Sequence, residues 1–467
     1  MFKIFNRNKW HLSKKDISNY NEVRDERNEL LCYAPFHSMT FLPTGDIYTC
    51  FHYNLRRSIG KYPENSIEEV WNGPILKKIR TSIKKHNLNN GCEECYNQIK
   101  LGNYYSAMSW HYDCLGKHKH SEYPTSLDFQ LSNICNYECI MCSGELSNSI
   151  RQKREHADIY NNPYDEKFVE QLIPYIPHLQ QAVFTGGEPF LNPLYYKIWD
   201  AMIAKNPQCI VAVTTNGSIL TDKIKEYLSK LRFNFSISIN AVDKEIYEKI
   251  HQGGNLQNVL GNYLYYKEYC NSKGTQIIIK ICPLRQNIYH IPKLVEYFNS
   301  HDTAISFNKV MYPPHCSLWN LTSDALYRII EFLKENTFVP NTKIQEQNLS
   351  RYNILINQIS HWCEDAKKRE ASNIPSMGNA ELKRILYEKA RKYLESVDLS
   401  KEESKKELQA FIEKMDKIEE MIDNEAIIRN YLLYIIEMPM SFIVPNIKSR
   451  TAEMLKSRII YSYENSV

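Results

Sequence analysis

Between about residue 121 and residue 318, short runs rich in β-branched and aromatic residues alternate with longer stretches of helical periodicity. Strands are predicted at Ser126–Leu131, Ala182–Thr185, Ile210–Thr215, Phe233–Ile239, Gln276–Cys282 and Ala304–Val310, separated by helices such as Asp165–Tyr175, Pro193–Lys205 and Thr221–Lys230. Such alternation argues for parallel β/α units. Several strands carry a polar face of period two. Phe233, Phe235, Ile237 and Ile239 oppose Asn234, Ser236, Ser238 and Asn240. Ile277, Ile279 and Ile281 oppose Ile278, Lys280 and Cys282, and Asp128 and Gln130 share one face of the first strand. On the last strand Ser306 and Asn308 do the same. Strands of a filled parallel barrel are apolar on both faces. A half-polar set predicts a partial (β/α)6 barrel, partly open, with a polar lumen. An antiparallel sheet with one wet face is the alternative, and the long helical connections argue against it.

Two other zones flank this α/β core. Residues 1–120 have the pattern of a small cysteine-rich α+β domain. In it Leu42-Pro-Thr-Gly-Asp46 predicts a hairpin turn, and Ser66-Ile-Glu-Glu69 a capping box opening a helix toward Trp71. Residues 319–467 read as a helical C-terminal extension, and the barrel is assigned 121–318. Leu408, Phe411, Ile412, Met415, Ile418 and Ile422 recur at helical spacing opposite Glu and Lys, which is amphipathic packing or, less simply, a partner face. The stretch from Tyr312 to Leu321 is expected to pack this extension on the barrel; closing over a substrate is the alternative.

Composition narrows the function classes. A chain of 467 residues suggests two or three domains, and a net charge of +4 argues for neither nucleic acid nor a membrane surface. Met1-Phe-Lys-Ile-Phe-Asn6 lacks a signal-peptide core, and Ile427–Val444 contains Arg429, Asn430, Glu437 and Pro439, too polar to span a bilayer. Thirteen cysteines, odd in number and clustered, do not form a disulfide framework in a chain without an export signal. Metal or redox chemistry in the cytoplasm is the expectation.

The first strand runs into Cys135-Asn-Tyr-Glu-Cys139-Ile-Met-Cys142. Thiolates are the natural ligands of iron–sulfur clusters, and three of them leave one iron of a [4Fe-4S] cluster open. A small molecule with an amine and a carboxylate could chelate there. Zinc is the alternative and would want a fourth ligand, from His111 or Cys114. Thr185-Gly-Gly-Glu-Pro189 follows the second strand and Thr214-Thr-Asn-Gly217 the third, while the fourth carries Ser236, Ser238 and Asn240. These sit where β/α barrels place their chemistry.

Taken together, these motifs over about 120–318 resemble the radical S-adenosylmethionine superfamily. The resemblance implies Cys135, Cys139 and Cys142 as cluster ligands, Gly186 and Gly187 for close backbone approach, and Glu188 on the cofactor's amino group. It implies Ser238 and Asn240 at the ribose or carboxylate; Asn216 is a candidate too, although Asn-Gly is as readily a turn. Met141 departs from the aromatic residue common before the third cysteine, and its thioether can still pack on adenine. The implied reaction is reductive cleavage of S-adenosylmethionine to a 5′-deoxyadenosyl radical that abstracts hydrogen from a substrate.

Upstream, Cys32, Cys50 and Cys92-Glu-Glu-Cys95 surround the hairpin, with Gly60 and Trp71-Asn-Gly73 between them. The arrangement resembles the twitch/SPASM domain that carries an auxiliary iron–sulfur cluster. It departs in preceding the barrel and in lacking further cysteines of the longer set, which leaves one cluster; structural zinc is the alternative. Cys114 is read as a bystander, with an extra ligand as the alternative, and Cys209, Cys270, Cys282, Cys316 and Cys363 as small buried hydrophobes. Lys280 is a candidate catalytic residue, or the partner of Asp128 or Glu188. The family resemblance implies oxidation or cross-linking of a peptide or protein side chain, with flavodoxin or ferredoxin as electron donor. Residues 1–31 are too short for a leader-binding domain, which keeps a sugar or other small molecule as an alternative substrate. A zinc-stabilised binding protein without chemistry is the alternative of a different class.

Overall fold

The computed structural model describes residues 10–24, 29–50, 58–89, 91–104, 107–117, 122–397 and 399–466. Met1–Asn6, which bore on the absence of a signal core, lies outside them. The chain divides into two compact units: Met1–Ser132, Tyr160–Ala212 and Glu226–Arg232 form the first, Asn133–Ile159, Val213–Lys225 and Phe233–Val467 the second.

The first unit contains β1 (Ser38–Phe41), β2 (Asp46–Tyr48), β3 (Gly60–Lys61), β4 (Ser126–Phe129) and β5 (Gln181–Phe184), in the spatial order β3-β2-β1-β4-β5. The predicted hairpin joins β1 to β2. Gly45 sits at φ +88°, and a Cβ there would collide with the Tyr62 carbonyl, so glycine suits both the turn and the close approach. β1 also pairs in parallel with β4, Ser38 opposite Ser126 through Phe41 opposite Phe129, and β4 pairs in parallel with β5. The cysteine-rich segment therefore extends the β/α sheet.

Alternate residues of these strands make an aromatic ladder. Phe41 stacks on Phe129 at 5.6 Å between ring centroids, and Phe129 on Phe184 at 5.1 Å. Phe168, on the helix Glu166–Leu172, and Trp199, on the helix Pro193–Lys205, meet the ladder edge-on. Thr40, Asp128 and Val183, in register with one another, belong to the opposite face. The buried Tyr195 hydroxyl ties the strand ends: it accepts from Leu131 N–H at 3.0 Å and lies 2.8 Å from the carbonyls of Phe129 and Thr185, to one of which it donates.

In the second unit β7 (Arg232–Ser238, whose first residue belongs to the first unit), β8 (Ile277–Ile281) and β9 (Ala304–Phe307) pair in parallel. β6 (Ile210–Thr215) is divided between the units. All six strands predicted in the α/β core are present. Phe233, Phe235 and Ile237 are fully buried, as are Ile279, Ile281 and Ile305. The polar row runs across the register, Ser238 opposite Lys280 and Lys280 opposite Ser306.

C-terminal helices enclose a separate apolar core, which includes Phe411, Met415 and Ile418 of the helix Lys401–Glu420. The stretch after β9 packs into it: Trp319 is buried there, and its indole N–H lies 3.1 Å from both the Met311 carbonyl and the Tyr434 hydroxyl. Among the described residues no helix is long and apolar enough to cross a membrane.

Replacing Tyr195 with Phe leaves the Leu131 N–H buried without its acceptor, an expected loss of about 1–3 kcal/mol. Denaturant unfolding should show a lower midpoint at unchanged slope; an unchanged midpoint would refute the tie.

Candidate metal centres

The segment Cys135–Cys142 forms a loop in the second unit, laced to the backbone after the helix Lys244–Ile250. Glu138 N–H donates to Gln252 O (2.9 Å) and Ile140 N–H to Ile250 O (3.0 Å), bracketing Cys139. Gly253, at φ +88°, permits the approach; a Cβ there would lie 3.2 Å from Asn136 O. On the other side Cys135 N–H donates to Asn148 Oδ1, Ser147 Oγ to Tyr137 O, and Asn133 Nδ2 to Gly144 O. Burial pushes the Cys139 thiol well up, and Cys142 and Cys135 push it further. Burial and Cys135 raise Cys142 to about 12. Three thiols that oppose one another's ionisation can be thiolates together only around a positive centre. A cluster with one ligand position left open fits this donor set.

An ion-pair network supports the loop's C-terminal end. Gly144 N–H donates to Glu155 Oε1 at 2.8 Å. Arg458 binds Glu155 at 2.7 Å and Glu145 at 2.5 Å, and Arg450 binds Glu145 at 2.8 Å. Desolvation disfavours the Glu145 carboxylate, but Arg450 and Arg458 outweigh it and hold its pKa far below the usual range. Both arginines come from the C-terminal helical region. With Met141, Cys142, Tyr312 and Tyr461 they line a cavity of about 250 Å³. Arg154 lies over the Tyr461 ring at 4.3 Å.

The other candidates divide between the units. In the first, Gly186 follows β5 at φ +116°, and a Cβ would stand 2.5 Å from Ser132 O; Gly187 N–H donates to the same carbonyl at 3.1 Å. Glu188 is 1% exposed and accepts from Phe190 N–H at 3.3 Å. Asp128 Oδ1, Thr40 Oγ1 and Thr185 Oγ1 are buried without hydrogen-bond partners among the described residues, and burial raises the Asp128 carboxyl to about 7.

In the second unit, Asn216 serves the turn and the loop: its Oδ1 accepts from Ser218 N–H, and its Nδ2 donates to Asn136 Oδ1 at 3.0 Å. Ser238 faces Lys280 across the register. Lys280 forms no ion pair among the described residues, and burial followed by Arg351 lowers its pKa. Asn240 is fully buried and bonded to Cys282 N–H and to His251. His251, 1% exposed, has its Nδ1 3.3 Å from Cys139 Sγ. Sequence reasoning missed it, because a lone histidine just after a helix has no motif spacing to single it out.

The four upstream cysteines converge in the first unit. Cys32, Cys50, Cys92 and Cys95 line one cavity of about 30 Å³ together with Met108 and Ser109. Burial raises Cys92 well above the ordinary thiol, followed by Cys95, Cys50 and Cys32. Burial likewise raises Cys32, with Cys50 and Cys95 adding to it. Burial also raises Cys95, opposed by backbone N–H groups of Ser109 and Met108 that favour its thiolate. Four thiols lining one cavity suit a closed ligand set, in contrast to the three of the loop. Cys114 is exposed and is not among the lining residues of that cavity.

Family comparison covers the segments that carry both cysteine groups. The family described as the radical SAM superfamily matches residues 129–283, and an iron–sulfur cluster-binding domain, SPASM, matches residues 32–96. The FeMo cofactor biosynthesis protein NifB of Methanocaldococcus infernus is 22% identical over 49% of this chain and 68% of that protein. A GTP 3′,8-cyclase of Limosilactobacillus fermentum is 24% identical over 44% of this chain and 60% of its own length. The radical SAM cyclopropyl synthase TigE of Paramaledivibacter caminithermalis is 27% identical over 26% of this chain and 28% of that protein. Streptococcus suis SuiB, solved with S-adenosylmethionine bound, aligns at 16% identity and a TM-score of 0.35 over 56% of each chain.

Arg458→Leu removes one partner of two acidic side chains and strands the buried Glu155. The expected cost is about 3–5 kcal/mol, as for other buried pairs broken on one side. Thermal unfolding of the full chain should show it; a loss under about 1 kcal/mol, the range of exposed pairs, would contradict the network's role.

Proposed function

Because this chain is a radical S-adenosylmethionine enzyme carrying a SPASM iron–sulfur domain N-terminal to its barrel, we propose that it abstracts a hydrogen atom from a peptide or protein side chain, leading to oxidation or cross-linking. The observation that carries the proposal is the pairing of an open set of three thiols with a closed set of four in one chain. When bound, the catalytic cluster and S-adenosylmethionine supply reductive cleavage to methionine and a 5′-deoxyadenosyl radical, and a closed auxiliary cluster suits acceptance of the substrate's remaining electron.

The chain's own residues then have distinct duties. Cys135, Cys139 and Cys142 hold the catalytic cluster and Cys32, Cys50, Cys92 and Cys95 the auxiliary one. Gly186 and Gly187 admit the cofactor's backbone-side approach, and Glu188 receives its amino group. Asn216 and Ser238 orient its polar edge. Asp128 and Thr40, whose Oδ1 and Oγ1 have no hydrogen-bond partner among the described residues, orient the substrate. A small flavodoxin or ferredoxin delivers the electron.

The peptide assignment follows what the family resemblance implies for this domain pair. A second reading, a sugar or other hydroxyl-rich small molecule, is favoured by the same Asp128 and Thr40, whose oxygens without partners among the described residues suit hydroxyl groups.

Anaerobically reconstituted protein with reductant and S-adenosylmethionine should release 5′-deoxyadenosine, and an extract of the host cell should raise the rate. Protease digestion of the extract abolishes the stimulation if the substrate is a peptide and leaves it intact if it is a small molecule. Asp128→Ala should reduce the stimulated rate about tenfold, the loss of a hydrogen bond of about 1.4 kcal/mol. No 5′-deoxyadenosine under any of these conditions would contradict the proposal.

A further inference from the structure

Three hydrogen bonds in the second unit run in series from the end of β8 to the cluster loop. Cys282 N–H lies 2.7 Å from Asn240 Oδ1, Asn240 Nδ2 lies 3.1 Å from His251 Nε2, and His251 Nδ1 lies 3.3 Å from Cys139 Sγ. Their direction follows from the first. A backbone N–H can only donate, so the Asn240 atom facing it is the carbonyl oxygen, and the amide NH₂ faces His251. His251 Nε2 must then accept, which places the ring's one proton on Nδ1. That proton points at Cys139 Sγ.

Each member is held in place. Asn240 and His251 are each 1% exposed. The His251 ring stacks on Tyr247 at 4.5 Å between centroids. Asn287 Nδ2 donates to the carbonyls of Asn240 and Cys282, fixing the backbone at the start of the chain of bonds. The two backbone bonds bracketing Cys139 fix its end.

We propose that His251 donates an Nδ1–H···S hydrogen bond to the Cys139 ligand of the catalytic cluster, and that Asn240 sets the tautomer required for it. The proposal rests on the reading of Cys139 as a cluster ligand. Reduction adds negative charge that spreads onto the cysteine sulfurs, so an N–H donor stabilises the reduced state more than the oxidised one. His251 makes the cluster easier to reduce, and both residues are positioning residues for the electron-transfer step. Asn240 thereby has a use other than contact with the cofactor.

The test is an EPR-monitored redox titration of the reconstituted full chain, the catalytic cluster being identified by its response to added S-adenosylmethionine. In His251→Phe the reduced-to-oxidised ratio at fixed ambient potential should fall about tenfold, a midpoint lower by about 59 mV. His251→Gln, which keeps an N–H donor, should remain within about threefold of the parent. In protein carrying ¹⁵N-histidine, pulsed EPR of the reduced parent cluster should show a nitrogen coupling that His251→Gln abolishes. An unchanged midpoint in a His251→Phe protein of normal iron content overturns the proposal. If His251→Phe builds no cluster, the parent's ¹⁵N coupling decides, and its absence overturns the proposal. A parent protein that builds no cluster responsive to S-adenosylmethionine refutes the ligand reading itself, a distinct result.

Discussion

Thiolates packed side by side repel one another, and water is the cheapest place for them. Here burial and mutual proximity both push the thiols of Cys139 and Cys142 away from ionisation, and the same holds at Cys32 and Cys92. Such thiols stay protonated unless a positive centre favours their thiolates, and backbone ties hold the sulfurs in place. The loop from Cys135 to Cys142 has those ties on both sides: the backbone pairs with residues 250 and 252, and the capped helix Asn148–Lys153 with its Glu155 anchor.

The helical C-terminal region enters this account through charge. Arg450 and Arg458 neutralise Glu145 and Glu155, and Glu155 holds the Gly144 amide. In the second unit the extension is thus tied to the Cys135–Cys142 loop. At the other end of the chain β1 continues the β/α sheet through its parallel pairing with β4, so the segment bearing the closed thiol set shares hydrogen bonds with the first β/α strand.

Much of this was legible in the residues. Strand positions followed from period-two alternation because one face is apolar and packed, as the burial of Phe233, Phe235 and Ile237 shows. The thiol groupings were visible as C-x3-C-x2-C and C-x2-C spacings, but spacing alone left zinc open, and the motifs after the later strands carried the resemblance. The hairpin at Gly45 and the capping box at Ser66 were legible because local chemistry dictates them. What stayed hidden is non-local. Nothing in the strand pattern says that β1 joins β4, a pairing across more than eighty residues. Nor does the sequence mark Arg458 as the partner of Glu155, or His251 as the neighbour of Cys139, because each depends on tertiary approach. Asn240 was noticed for its polarity and its place on the strand, yet both ends of its side chain are engaged by Cys282 and His251.

The central claim is that one chain holds an open three-thiol cluster and a closed four-thiol cluster, and the direct measurement is iron and sulfide content after anaerobic reconstitution. The account predicts about eight irons per chain, with four for each cluster, falling to about four when Cys135, Cys139 and Cys142 are replaced together by Ala. A protein that binds no iron before or after that replacement would contradict it.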